Sequence, residues 1–196
     1  MDARTSDDPL VVDLVRRAVS GDAVAFASLY DQFAPRVRRF LRYQLRDDDL
    51  AEELVQRTFV RIVEALPRYQ PRGLPFGAWV FRIARNAMID QIRTTHPTVE
   101  LDAALDRAAD TGDPVMAVEQ ADVRAEVRRA LDQLPTDQRD VLVWRFFGEL
   151  SPAETAAVMG RSNGAVRVLQ HRALAALRGI MDSTGGAAVI LEEGLR

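Results

Sequence analysis

Apolar residues recur along most of this chain at steps of three and four, the mark of helices with one face against a core. Leu10, Leu14, Val15, Ala18 and Val19 predict a short first helix, which Gly21 ends and after which Asp22 is placed to cap the next. Phe26, Leu29, Tyr30, Phe33, Val37, Phe40, Leu41 and Leu45 carry the same step across Pro35, where a kink or a break is expected. The arginines at 36, 38, 39, 42 and 46 fall mostly on the outer side of that segment and read as a solvated face. Asp47 to Asp49 supply a turn and cap for a third helix carried by Leu50, Leu54, Thr58, Phe59, Ile62, Val63 and Leu66, which Pro67 stops.

A loop rich in proline follows, and Pro75, in a first helical turn, opens a fourth helix over Leu74 to Arg93. Two surfaces are written onto it. Phe76, Trp79, Val80, Ile83, Ala84, Ala87, Met88 and Ile92 form a core stripe, while Arg82, Arg85, Asn86 and Arg93 share another side, with Phe81 beside them. Guanidinium groups grip phosphates, a side-chain amide pairs with a base edge and an aromatic ring stacks on an unpaired base, so this side suits nucleic acid. An ordinary solvated face is the competing reading from this helix alone.

His96-Pro97 breaks the pattern, and the residues down to Pro114 have weak periodicity and read as a linker. A second bundle begins near Val118. Val123, Val127, Ala130, Leu131 and Leu134 mark one helix ended by Pro135, and Thr136 is placed to cap another that stops at Gly148. Then comes the sharpest local signal: Ser151 as N-cap, Pro152 where its missing N–H costs nothing, and Glu154 placed to close a capping box. That short helix ends at Gly160, and a longer one runs from about Gly164 to Met181, which together make a helix-turn-helix pattern. Val166, Leu169, Ala173, Leu177 and Ile180 form its buried stripe; Arg167, Val168, His171, Arg172, Ala175 and Arg178 look outward. In a major groove, Arg167 and Arg172 would meet guanine edges or phosphates, and Val168 and His171 the adjoining bases. The fold expected is all-α: two small helical bundles over residues 10–94 and 118–182, an acidic linker over 95–117, and a flexible tail over 183–196.

Composition narrows the chemistry. The 196 residues hold no cysteine and two distant histidines, His96 and His171, so zinc, thiol and disulfide chemistry are not expected, nor is any metal or other cofactor. No polar constellation converges on a catalytic centre and no glycine-rich phosphate loop occurs, which argues against an enzyme. No apolar run is long enough for a bilayer, and the opening residues MDARTSDDPL have neither the basic nor the apolar part of a signal peptide, so a cytoplasmic location without membrane insertion is expected. The net charge of −3 opposes unaided DNA binding, yet charge is segregated. Thr155 to Met181 carries Arg161, Arg167, Arg172 and Arg178 and no acid, whereas Thr94 to Asp122 sets Glu100, Asp102, Asp106, Asp110, Asp113, Glu119 and Asp122 against Arg107 alone.

From Leu10 to Met181 the chain resembles the extracytoplasmic-function sigma factors, the two-domain initiation subunits of bacterial RNA polymerase. Three segments carry the resemblance: AEELVQRTF at 51–59, FGAWVFRIARNAMIDQIR at 76–93, and LSPAETAAVMGRSNGAVRVLQHRAL at 150–174. It implies that Glu53, Leu54 and Gln56 dock on the clamp helices of the polymerase largest subunit, and that the second domain meets the flap region. It implies too that Asn86 reads an unpaired base of the minus-ten element with Trp79, Arg82 and Arg85 around it, and that Arg167, Val168, His171 and Arg172 read the minus-thirty-five element as duplex. Promoter DNA and core polymerase are the implied partners, with room for an anti-sigma protein. Three features depart from the family pattern: Arg57 stands where an acid is usual, Leu169 and Leu174 replace common arginines, and Ser162-Asn163 replaces a turn containing proline. The alternative is a stand-alone helix-turn-helix regulator of intact duplex, which leaves the Arg82 to Asn86 surface without work.

Overall fold

In a computed structural model, which describes residues 9–70, 74–95 and 118–183, the chain is all-helical, and no strand occurs among the described residues. Helix α1 (Pro9–Val19) ends at Gly21, whose φ of +91° favours a residue without a side chain, and Asp22 then accepts hydrogen bonds from the Val24 and Ala25 amides to cap α2 (Ala23–Leu45). The buried residues of α1 are Val11, Val15 and Ala18, whereas Leu10, expected inside, is exposed. Helix α2 runs on through Pro35, which is exposed, without being divided there. Asp47 caps α3 (Asp48–Ala65) by accepting from the Leu50 amide, and Pro67 turns its end into a 3₁₀ turn at Leu66–Arg68. Helix α4 (Phe76–Thr95) begins two residues later than expected; the Pro75 carbonyl accepts from the Trp79 amide at 2.9 Å. Phe33, Phe40, Leu29, Leu41, Leu54, Ile62, Phe81 and Met88 lie fully buried among α2, α3 and α4, each contributing roughly 1.5–3 kcal/mol by leaving water.

The second bundle comprises α5 (Val118–Asp132), α6 (Thr136–Leu142), α7 (Pro152–Met159) and α8 (Asn163–Ser183). Thr136 is the first residue of α6 rather than its cap; Pro135 holds the cap position with no side-chain bond. The helix expected to continue to Phe147 widens at Val143–Phe147 into a π turn. Ser151 and Glu154 close the capping box, the serine oxygen accepting from the Glu154 amide and the carboxylate from the Ser151 amide. Gly160, at φ +63°, ends α7, and Ser162 opens α8 by accepting from the Ala165 amide at 3.2 Å. The linker expected over 95–117 and the tail over 183–196 lie, apart from Thr95 and Ser183, outside the described residues.

The two bundles touch. The π turn packs on α2, and α7 packs on α4. Trp144 stacks on Phe40 with ring centroids 4.5 Å apart and meets Phe81 edge-on at 6.0 Å, and Phe147 lies 4.3 Å from Tyr43. A Cβ on Gly148 would stand 2.9 Å from the Trp144 carbonyl oxygen and 3.2 Å from the Phe81 ring, so a larger residue would force this approach apart. Arg36 is not on a solvated face: it is 4% exposed, and its guanidinium donates to the Gly148 and Glu149 carbonyls at 3.0 and 2.9 Å. Arg39 pairs with Glu149 at 2.5 Å, and Arg46 with Asp132 at 2.5 Å. Arg38 and Arg42, the remaining arginines of that row, pair with Glu52 and Asp48.

Candidate nucleic-acid interface

Helix α4 is held by its apolar stripe: Phe76, Val80, Ala84, Ala87, Met88 and Ile92 are buried, and this fixes which residues face out. Arg82, Arg85, Asn86 and Arg93 are all exposed, so one helix side presents three guanidiniums and an amide. Trp79 is half-buried at the start of that side, with ring centroids 4.8 Å from Tyr69 and 5.6 Å from Phe76. Tyr69 is itself tied down, its hydroxyl donating to the Leu74 carbonyl at 2.9 Å; burial pushes its pKa up to about 12, so it stays neutral. The arrangement is an aromatic platform next to cations. Phe81 is a correction to the sequence reading: at 0% exposure, packed between Phe40 and Trp144, it is core and offers no ring to a base.

Helix α8 repeats the pattern of one buried and one exposed side. Val166, Ala173, Leu177 and Met181 are buried, and Arg167, Val168, His171 and Arg172 are exposed, Val168 at 53%. The helix is set at its angle by a polar clamp beneath it. Arg145 donates to Gln170 of α8 at 3.0 Å and to the Leu150 carbonyl just before α7, and burial lowers its pKa against the favourable charge of Glu154. Glu154 is fully buried, so the capping box both starts α7 and supplies the counter-charge in the turn region.

Most of the other described arginines are committed to ion pairs. Arg16, Arg17, Arg38, Arg39, Arg42, Arg46, Arg57, Arg61 and Arg161 all sit in ion pairs. Among the described residues, Arg82, Arg85 and Arg93 of α4 and Arg167, Arg172 and Arg178 of α8 form none. Asp90, the acid of α4, is held by Arg61 at 3.1 Å. A guanidinium without an internal partner keeps its full charge for phosphate or a base edge.

The third set of expected residues, on α3, is divided. Glu53 and Gln56 are exposed, but Leu54 is 0% exposed and buried against the core, so a direct partner contact through its side chain is corrected to a packing role. Arg57 pairs with Glu53 at 2.5 Å and donates to Gln91 at 3.0 Å, which partly neutralises the acid and ties α3 to α4. Val60 and Val63, one and two turns beyond Gln56, are exposed and extend that surface as an apolar strip. The sequence reading missed them because Val63 fits the core period and Val60 stands alone. Arg36 was missed for a related reason, although its spacing from Phe33 and Phe40 places it on the buried line. No cluster of metal-ligating side chains and no helix long and apolar enough to cross a membrane occurs among the described residues.

Known protein families match this chain across both bundles. The family model for Sigma-70 region 2 matches residues 29–97, and that for Sigma-70, region 4 matches 124–177. The chain is 34% identical over 177 residues to the ECF RNA polymerase sigma factor BldN of Streptomyces coelicolor, covering 89% of this chain and 67% of that one. It is 35% identical over 189 residues to ShbA of Streptomyces griseus, an ECF RNA polymerase sigma factor, covering 91% and 99%. Among solved structures, CnrH in complex with the cytosolic domain of CnrY superposes with a TM-score of 0.56 at 30% identity, over 87% of this chain and 96% of that one. RpoE of Bartonella quintana, solved with the anti-sigma factor NepR, has a TM-score of 0.58 at 22% identity over 80% and 96%, a likeness of fold.

Proposed function

Because the chain belongs to the extracytoplasmic-function sigma factors, which direct RNA polymerase to promoters and are not themselves enzymes, we propose a division of that work among its exposed surfaces. Glu53 and Gln56 on α3 dock on the clamp helices of core polymerase. Trp79, Arg82, Arg85 and Asn86 on α4 hold the minus-ten element, Asn86 pairing with the edge of an unstacked base while the arginines take its phosphates. Arg167, Val168, His171 and Arg172 on α8 read the minus-thirty-five element in the major groove. The observation that carries this reading is the segregation of uncommitted arginines onto α4 and α8 in a molecule whose other described arginines are mostly paired.

The functional units in this reading are residues 10–94 and 118–182, and the protein works in the cytoplasm, where polymerase and chromosome meet. The complex of CnrH with the cytosolic domain of CnrY supports a protein partner for this chain as well. Run-off transcription tests the proposal: core polymerase with genomic fragments should give discrete transcripts only when this protein is added. Transcripts that persist unchanged after Asn86→Ala and Arg167→Ala would contradict the residue assignments while leaving the family intact.

A further inference from the structure

The turn between α7 and α8 reads Arg161-Ser162-Asn163-Gly164, and the fold commits only the first two of these side chains. Arg161 is tied down. Its guanidinium pairs with Asp137 of α6 at 2.5 Å, and its amide donates to the Ala156 carbonyl of α7 at 2.9 Å. Ser162 caps α8, its hydroxyl accepting from the Ala165 amide and its carbonyl from the Val166 amide. Asn163, the first residue of α8, is exposed, and its side chain makes no hydrogen bond among the described residues. Where the family pattern has a turn containing proline, this chain therefore keeps a cap and gains an uncommitted amide.

Residues four apart on an α-helix form ridges along its surface, and the outward side of α8 carries two of them. Asn163, Arg167 and His171 make one, Gly164, Val168 and Arg172 the other, and all six residues are exposed. The four residues already assigned to the upstream element fill the second and third places of each ridge. The first places belong to Asn163 and Gly164. Side chains on a helix lean toward its N-terminus, so Asn163 projects past the end of α8 whose residues contact base edges in a helix-turn-helix. A Cβ on Gly164 would meet nothing within 4 Å, so packing does not require glycine there. Its bareness keeps the surface beside Asn163 clear.

We propose that Asn163 is a further specificity-determining residue, its carboxamide pairing with the N6 and N7 edge of an adenine at one end of the minus-thirty-five element, and that Gly164 lets the groove floor come close enough for this pair to form. A carboxamide sets one donor beside one acceptor, which matches adenine and no other base edge in the major groove. Asn163 precedes Arg167 by four residues, about 6 Å along the axis at 1.5 Å per residue, so the adenine falls roughly one or two base pairs beyond the pair that Arg167 meets. This inference rests on the reading of α8 as the duplex-reading helix, and Arg167→Ala tests that reading separately.

The test uses the full-length protein with core polymerase and a promoter fragment found by run-off transcription, its upstream element replaced by a randomised duplex library. Sequencing the bound fraction gives the base preference at each position. The unmodified protein should prefer A·T at one position by roughly tenfold, and Asn163→Ala should abolish that preference while the other positions keep theirs. Asn163→Arg should move the preference at the same position from adenine to guanine, whose O6 and N7 acceptors match a guanidinium; a role confined to starting α8 would produce no such exchange. Gly164→Leu should not lower the thermal midpoint, leucine being the better helix former, yet should weaken binding to the upstream element by roughly tenfold or more. A loss in Asn163→Ala that is uniform across sequences, as from a phosphate contact, would overturn the assignment, and so would an unchanged adenine preference or undiminished binding by Gly164→Leu. If Arg167→Ala changes a preference and Asn163→Ala does not, only the Asn163 assignment falls; if neither changes any, the reading of α8 falls and the assignment with it.

Discussion

Exposure decides what each candidate side chain is able to do. Asn86 is exposed on a helix whose opposite side is core, so Asn86→Ala should leave folding and polymerase binding intact and lose about 1–3 kcal/mol of discrimination at one minus-ten position. Permanganate reactivity of promoter thymines, measured on the polymerase complex, checks this through reduced opening; unchanged opening and unchanged base preference would remove Asn86 from the site. Leu54 makes the opposite case. Fully buried in α3, it should cost about 2–5 kcal/mol of stability when changed to alanine, read as a lower midpoint in a urea melt. Gln56→Ala on the same helix should leave the melt unchanged and weaken polymerase binding. The sequence made the helical period of α3 plain, yet a shared motif does not say which of its residues point inward; that is a matter of one residue's phase against the core. Arg36 shows the same limit, because a cation on a buried line is legible only when the carbonyls that accept from it, Gly148 and Glu149, are brought from 112 and 113 residues away.

Elements were more legible than residues, since each end is written in local chemistry. Asp22, Asp47 and the Ser151–Glu154 box start helices where the sequence places them, and Gly21 and Gly160 take the positive φ expected of helix ends. What local chemistry did not announce is the π turn at Val143–Phe147, a run of apolar residues whose widening is dictated by the first domain on which Trp144 and Phe147 pack. Helix α8 carries its own prediction. Because Arg167 and Arg172 are exposed and the buried stripe lies opposite, Arg167→Ala and Arg172→Ala should leave the helical signal in circular dichroism unaltered. Each should weaken binding of the polymerase complex to the upstream element, by about 1–3 kcal/mol if the guanidinium meets a base edge. If it meets only phosphate, the loss should be uniform across sequences, with a shallower salt dependence.

At the scale of the whole molecule, charge and connection argue together. A chain with a net charge of −3 gains little nonspecific affinity for DNA, and two joined domains must lose freedom before both promoter elements are engaged. In the proposed division of work, core polymerase would offset both costs by fixing the first domain and holding the second at a distance from it. The two-bundle plan and the helix-turn-helix were legible in the sequence because each bundle has its own apolar periodicity. Their mutual contact was not, since Phe40 reads as a residue of the first core alone and Phe81 reads as part of the exposed side of α4, whereas both pack against Trp144. The account's central claim is that this protein selects promoters only as part of the polymerase. The most direct measurement is a gel shift at fixed salt on one fragment carrying both elements, with the protein alone and with core enzyme added. The account predicts little specific binding by the free protein and a tight, salt-sensitive complex with core enzyme; tight, specific binding to intact duplex by the protein alone would contradict it.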